Sequence, residues 1–166
     1  MKFNTVLGRS DSSSLLSEIV ALRTQATVRT KSVSQSGASH FQFVAELDAE
    51  AEEWHMITDQ GLRWSAVDGM LSLEPDPPHA VAFPRGMPTE VQMLHPEALL
   101  MWGRRGESFY PMLIQEIGRR SLLITFEHVE DPFRATAVIN RTTGIIEKMA
   151  ALGDLTILTE VELSAA

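Results

Sequence analysis

The chain has 166 residues, no cysteine and a formal net charge of −8. Its 14 Lys and Arg residues stand against 22 Asp and Glu and are scattered, which excludes a nucleic-acid interface, since phosphate neutralisation needs clustered cations. The same balance disfavours anionic lipid headgroups, and the lack of cysteine excludes disulfides, thiolate metal sites and a cysteine nucleophile.

A chain of this length, 44% hydrophobic and 22% charged, reads as a single domain over residues 1–166 with enough apolar side chains for a full core. After Lys2 the N-terminus has no long apolar run, so no secretory signal is read. No stretch approaches the roughly 18 apolar residues of a membrane span. The expectation is a soluble protein of the cytoplasm as the sequence stands, or an exported one if a signal sequence has been removed.

Residues 1–10 lack periodicity and read as loosely ordered or as a short strand. Asp11 to Ser14 offer side-chain oxygens for capping a helix. Leu15, Ile19, Leu22 and Ala26 follow at helical spacing and predict an amphipathic helix of about four turns. From Thr27 the period becomes two. Residues 28–33 are polar and predict an edge-like strand. Phe41, Phe43, Ala45 and Leu47 alternate along the next strand. Trp54 to Thr58, Leu62 to Val67 and Met70 to Glu74 then form a meander, with Asp68-Gly69 as a strong hairpin-turn signal.

Pro75, Pro77, Pro78, Pro84 and Pro88 mark a loop or an interrupted edge strand around Ala80–Phe83, because proline cannot donate to a ladder. His95-Pro96 opens a second predicted helix carrying Ala98, Leu99, Met101 and Trp102 and ending at Gly103. Five strands close the chain, over residues 112–117, 122–129, 133–140, 145–151 and 155–163. In total roughly ten strands and two helices are predicted. A sheet of that size twists and curls. The fold class expected is therefore α+β: a strongly curved antiparallel sheet, a half-open barrel, with both helices on its concave side.

The five histidines show no spacing suited to a metal, and no phosphate-binding glycine pattern or nucleophile elbow occurs, so no cofactor, metal or catalytic residue is assigned. Asp48, Glu50, Glu52 and Glu53 form an acidic connection without the glycine of a calcium loop. His128 falls in phase with Leu122, Ile124 and Phe126 and is expected to face the interior as a hydrogen-bonded histidine. The large adaptable groups are more informative. Phe43, Trp54, Met56, Trp64, Trp102 and Phe126 are expected to line the concave face. That face is either an apolar cavity for a ligand or a filled core.

Three stretches resemble the LolA-like superfamily of bacterial lipoprotein carriers and related lipid-binding domains. They are Leu15 to Val33, the Trp-centred meander from Trp54 to Gly69, and Asp131 to Met149 with its strand, Asn140-Arg-Thr-Thr-Gly144 turn and returning strand. Asn140 stands where Asp is usual, and both residues can bond the local backbone. The likeness is nearest to uncharacterised actinobacterial members. The resemblance implies a half-open barrel with helices over its mouth, and carriage of an acyl chain, lipid or lipoprotein. Two other readings stay open. One is a structural or protein-interaction module with a filled core. The other is a small acid–base enzyme using His128 or His55.

Overall fold

The computed structural model describes residues 3–23 and 27–164. Its strands join one antiparallel sheet of twelve, curved and not closed. The first meander comprises β2 (Thr27–Ser36), β3 (Ser39–Asp48), β4 (Glu53–Thr58), β5 (Arg63–Val67), β6 (Met70–Leu73) and β7 (His79–Ala80). The second comprises β8 (Phe109–Glu116), β9 (Ser121–His128), β10 (Arg134–Asn140), β11 (Ile146–Ala151) and β12 (Asp154–Ser164). Each meander runs through neighbouring hairpins. The long β12 then pairs with β2 along ten residue pairs and makes the two meanders continuous. The N-terminal β1 (Thr5–Val6) adds to β8 at Leu113 and Ile114. The two outermost strands, β1 and β7, are thus only two residues long, which limits edge-to-edge pairing with other chains.

The turn chemistry is local. Asp68 and Gly69 both adopt positive φ (51° and 70°), the combination that a two-residue hairpin between right-twisted strands requires. At the β10–β11 turn the Asn140 carbonyl oxygen Oδ1 accepts the Thr142 N–H at 2.8 Å, the role its resemblance to aspartate implied.

Along β9 and β10, alternate residues Leu122, Ile124, Phe126, Ala135, Ala137 and Ile139 are buried on one face. Phe43, Ala45 and Leu47 of β3 and Trp54 and Met56 of β4 continue that face. Over it lie α1 (Ser12–Val20) and a cover of residues 81–108, which contains the one-turn helix α2 (Thr89–Gln92) and a 3-10 turn at Pro96–Ala98. Leu15 and Ile19 of α1, and Val91, Met93, Leu94 and Leu99 of the cover, join the sheet residues in a single core cluster.

Three expectations are corrected. First, α1 has nine residues, shorter than the periodicity suggested, and Ala26 lies outside the described residues. Its C-terminus is abutted by the β10–β11 turn: a Cβ on Gly144 (φ +71°) would sit 2.9 Å from the Ile19 carbonyl oxygen. Second, the continuous helix over 95–103 is replaced by short pieces. Pro96 removes an N–H and forces His95 out of helical geometry (φ −132°, ψ 73°). The chain is then held by side chains. The Glu107 carboxylate accepts the backbone N–H groups of Trp102 and Arg104, and the Arg104 guanidinium donates to the Leu99 and Glu97 carbonyls. Third, β2 is a central strand, flanked by β12 and β3, although its polarity read as an edge. Thr30, Ser32 and Ser34 point inward and are buried. Their hydroxyls are satisfied, Ser32 by Thr30 on the same strand and the other two by other segments, so burial carries no orphan penalty. Thr30 donates to the Glu160 carbonyl at 2.7 Å, and Ser34 Oγ lies 2.9 Å from Thr156 Oγ1.

Candidate functional site

Four of the six residues predicted to line the concave face come from the first meander: Phe43 on β3, Trp54 and Met56 on β4, Trp64 on β5. Phe126 comes from β9 of the second meander, and Trp102 comes from the cover. All six belong to, or pack against, the one core cluster, and only Trp64 is partly exposed. The face is therefore packed by its cover. Trp102 meets Phe126 edge-on with centroids 5.4 Å apart, and its indole N–H donates to the Pro96 carbonyl at 2.7 Å.

The seam between sheet and cover is rich in methionine. Met56 and Met149 project from the sheet, Met87, Met93 and Met101 from the cover, and all five are buried. Unbranched thioethers fit irregular gaps and repack at low cost. The cover itself lacks regular structure over most of its length, and its backbone is tied to the sheet at separate points, Val81 N–H to Gly69 O and Ile146 N–H to Met93 O. At its exit, Gly103 (φ +76°) lets the chain pass close to α1; a Cβ there would lie 3.0 Å from Tyr110 Cβ and 3.2 Å from Ser12 Oγ.

A polar knot fastens the cover to the end of α1. The Arg23 guanidinium donates to His95 Nδ1 at 2.7 Å and reaches Glu97 Oε1 at 2.6 Å, while His95 Nε2 lies 3.3 Å from the same Glu97 oxygen. Because a guanidinium can only donate, Nδ1 must accept, and the ring is neutral with its proton on Nε2 facing Glu97. Burial, supported by the Arg23 charge and opposed by Glu97, holds the His95 pKa below the ordinary 6.5. The Phe83 ring packs edge-on to the imidazole at 5.1 Å. Sequence reasoning missed this group because its members are 72 residues apart; the one local signal was a histidine before a proline.

Wider concavities lie elsewhere among the described residues. Beside α1, about 510 Å³ opens between Phe3, Ala21, Leu22, Leu122 and Arg141. On the outer face of the first meander, about 400 Å³ lies over Val44 and Ile57, rimmed by Arg29, Arg63, Glu46 and His55. The two histidines of the enzymatic reading are far apart in role. His55 is exposed on the outer face. His128 Nδ1 accepts the backbone N–H groups of Glu130 and Asp131 in a turn, with its ring beside Phe109. Among the described residues no group of three or more His, Asp or Glu is placed to hold a metal ion, and no helix is long and apolar enough to cross a membrane.

No family model and no curated protein matches the chain. Solved structures do. The chain is similar to MucB, with a TM-score of 0.57 at 12% identity over 95% of this chain and 60% of MucB. It matches the Pseudomonas aeruginosa MucA/MucB complex at 0.57 and 15%, over 94% of this chain and 58% of that one. An uncharacterised conserved protein from Thermus thermophilus matches at 0.59 and 5%, over 94% and 89%. The chain thus spans about three fifths of the MucB structures. At these identities the likeness is one of fold, and the fold fits the LolA-like type.

Proposed function

We propose that this chain is a non-enzymatic binding domain whose concave face accepts an acyl chain or another apolar segment, such as that of a lipid or lipoprotein, when the cover lifts. The observation that carries the reading is the methionine-rich seam. Five buried methionines lie between a rigid hydrogen-bonded sheet and a cover of short helical pieces. Such a contact can repack around an inserted chain without breaking a ladder. Phe43, Trp54, Met56, Trp64, Trp102 and Phe126 would form the lining. The opening beside α1 offers an apolar entry over Leu22 and Leu122. The LolA-like fold is consistent with this use.

The test is native mass spectrometry of the protein as purified and after incubation with fatty acids and phospholipids. An adduct of lipid mass is expected, and replacing Trp64 or Trp102 with Ala should weaken it more than replacing the exposed Arg119. A clean mass under all conditions would sink the reading. It would favour a second one, a protein-interaction module with a filled core. That alternative draws on the outer-face concavity over Val44 and Ile57, and on MucB, which has been solved in complex with MucA.

A further inference from the structure

The concave face carries two polar atoms that its own packing leaves unanswered. The indole Nε1 groups of Trp54 and Trp64 are both buried and have no hydrogen-bond partner, whereas Trp102 donates to Pro96. An indole N–H is a donor only, and a buried donor without an acceptor is costly to keep. Neither donates to a backbone carbonyl, and those of β4 and β5 serve the ladders with β3, with β6 and with each other. Among the inward-facing neighbours Phe43, Ala45 and Ala66 have no acceptor, and neither the weakly accepting Met56 thioether nor the Thr58 hydroxyl is bonded to either indole.

The two tryptophans are also adjacent. Trp64 pairs with Met56 and Trp54 with Ala66, so the indoles stand on one face as diagonal cross-strand neighbours. Side chains in that relation stand roughly 7–8 Å apart, within reach of one ligand group.

We infer that Trp54 and Trp64 together form a donor site for an uncharged acyl carbonyl, an ester or amide oxygen, set in an otherwise apolar face. This rests on the binding function proposed above and specifies its ligand. A plain hydrocarbon would leave both donors unpaired. A carboxylate would bring a charge onto a face where His95, the one titratable side chain among the buried described residues, is neutral and fastened to Arg23, while Arg29 and Arg63 lie around the outer-face concavity that Trp64 also lines. A carbonyl of an esterified or amide-linked chain supplies acceptor lone pairs without a charge.

The experiment uses three probes of similar length: methyl dodecanoate, dodecanoate and tridecane. Affinity is read by displacement of N-phenyl-1-naphthylamine fluorescence. In parallel, the three indole N–H resonances of the ¹⁵N-labelled protein are followed, assigned with Trp54→Phe and Trp64→Phe. The ester should bind at least about fivefold tighter than tridecane, the increment of one net hydrogen bond. It should move the Trp54 and Trp64 indole protons downfield and leave Trp102 in place. Each Phe variant should narrow the ester preference, read as the ratio of ester to tridecane affinity in the same variant. Equal binding of ester and tridecane with no indole shift would overturn the donor site yet leave apolar binding standing. Tightest binding by dodecanoate would overturn the uncharged assignment. Failure of all three probes to bind would remove the binding function as well. The comparison of probes on the unaltered protein stands even if a variant folds poorly.

Discussion

The two meanders build one concave face from different materials. The second meander presents Leu122, Ile124, Phe126, Ala137, Ile139 and Ile146, a mainly apolar surface with those side chains almost fully buried, and turns to Met149 and the Thr156 hydroxyl only on β11 and β12, towards the first meander. The first presents tryptophan, methionine and a row of hydroxyls on β2, with two indole donors unpaired. A surface of the first kind contributes stability and little else, since branched side chains interlock and resist repacking. The contrast suggests a division of labour: the second meander is the fixed floor, and the first, with the cover, is the adaptable wall.

The sharpest way to break that contrast is to cut the floor. Ile124→Ala removes a fully buried side chain from a tightly packed strand and should destabilise the protein by about 2–5 kcal/mol in urea unfolding. A loss below about 1 kcal/mol would mean that the floor relaxes as readily as the wall. Next in size is a pair of matched substitutions. Trp102→Phe removes the indole bond to the Pro96 carbonyl, which keeps its bond from the Leu99 N–H, and should cost about 1 kcal/mol beyond the loss of ring volume. Trp54→Phe loses the same ring volume from an equally buried site but a donor that has no partner, so it should cost about 1 kcal/mol less than Trp102→Phe. Equal losses for the two would show that the Trp54 indole is satisfied within the protein.

The knot at the edge of the cover yields a pH prediction. His95 titrates lower in the folded protein than in the unfolded chain, because burial and Arg23 oppose its charge more than Glu97 favours it. The unfolded chain therefore takes up the proton first. The stability that this group confers is intact above about pH 6.5 and declines as the pH falls below it, towards the folded-state value. Protonation also removes the acceptor that Arg23 uses. His95→Gln, whose amide can accept from Arg23 and donate to Glu97, should flatten the decline measured by thermal melts between about pH 7 and pH 5. An unchanged slope would assign the acid sensitivity elsewhere. The smallest effect concerns the β11–β12 hairpin. Leu152 occupies positive φ (51°) and is exposed, so Leu152→Asn should raise stability by about 0.5–1 kcal/mol.

Much of the floor was legible in the sequence. Leu122, Ile124 and Phe126 alternate cleanly with polar residues, and period two with one dry face permits a single register. Asp68-Gly69 announced its hairpin for the same local reason. Phe43, Trp54, Met56, Trp64 and Phe126 share one cluster because their strand phases place them on one side, and Trp102 meets that cluster from the cover. The wall and cover were less legible. The polarity of β2 pointed to an edge, and bonds to distant partners, Thr30 to the Glu160 carbonyl 130 residues away and Ser34 to Thr156, make a central position tolerable. The stretch from His95 to Gly103 has helical periodicity, but the bonds that shape it come from Glu107 and Arg104, side chains beyond the pattern.

By itself, then, the sequence determined the class of the fold, the strand succession and the identity of the inward-facing residues, all of which follow from short-range periodicity and turn chemistry. Tertiary structure alone decided which strand is central, how the cover closes, that Arg23, His95 and Glu97 meet, and that two of three indoles lack an acceptor. These are properties of approach between distant segments. A hydrogen bond depends on which atoms finally lie about 3 Å apart, and no local pattern encodes that distance.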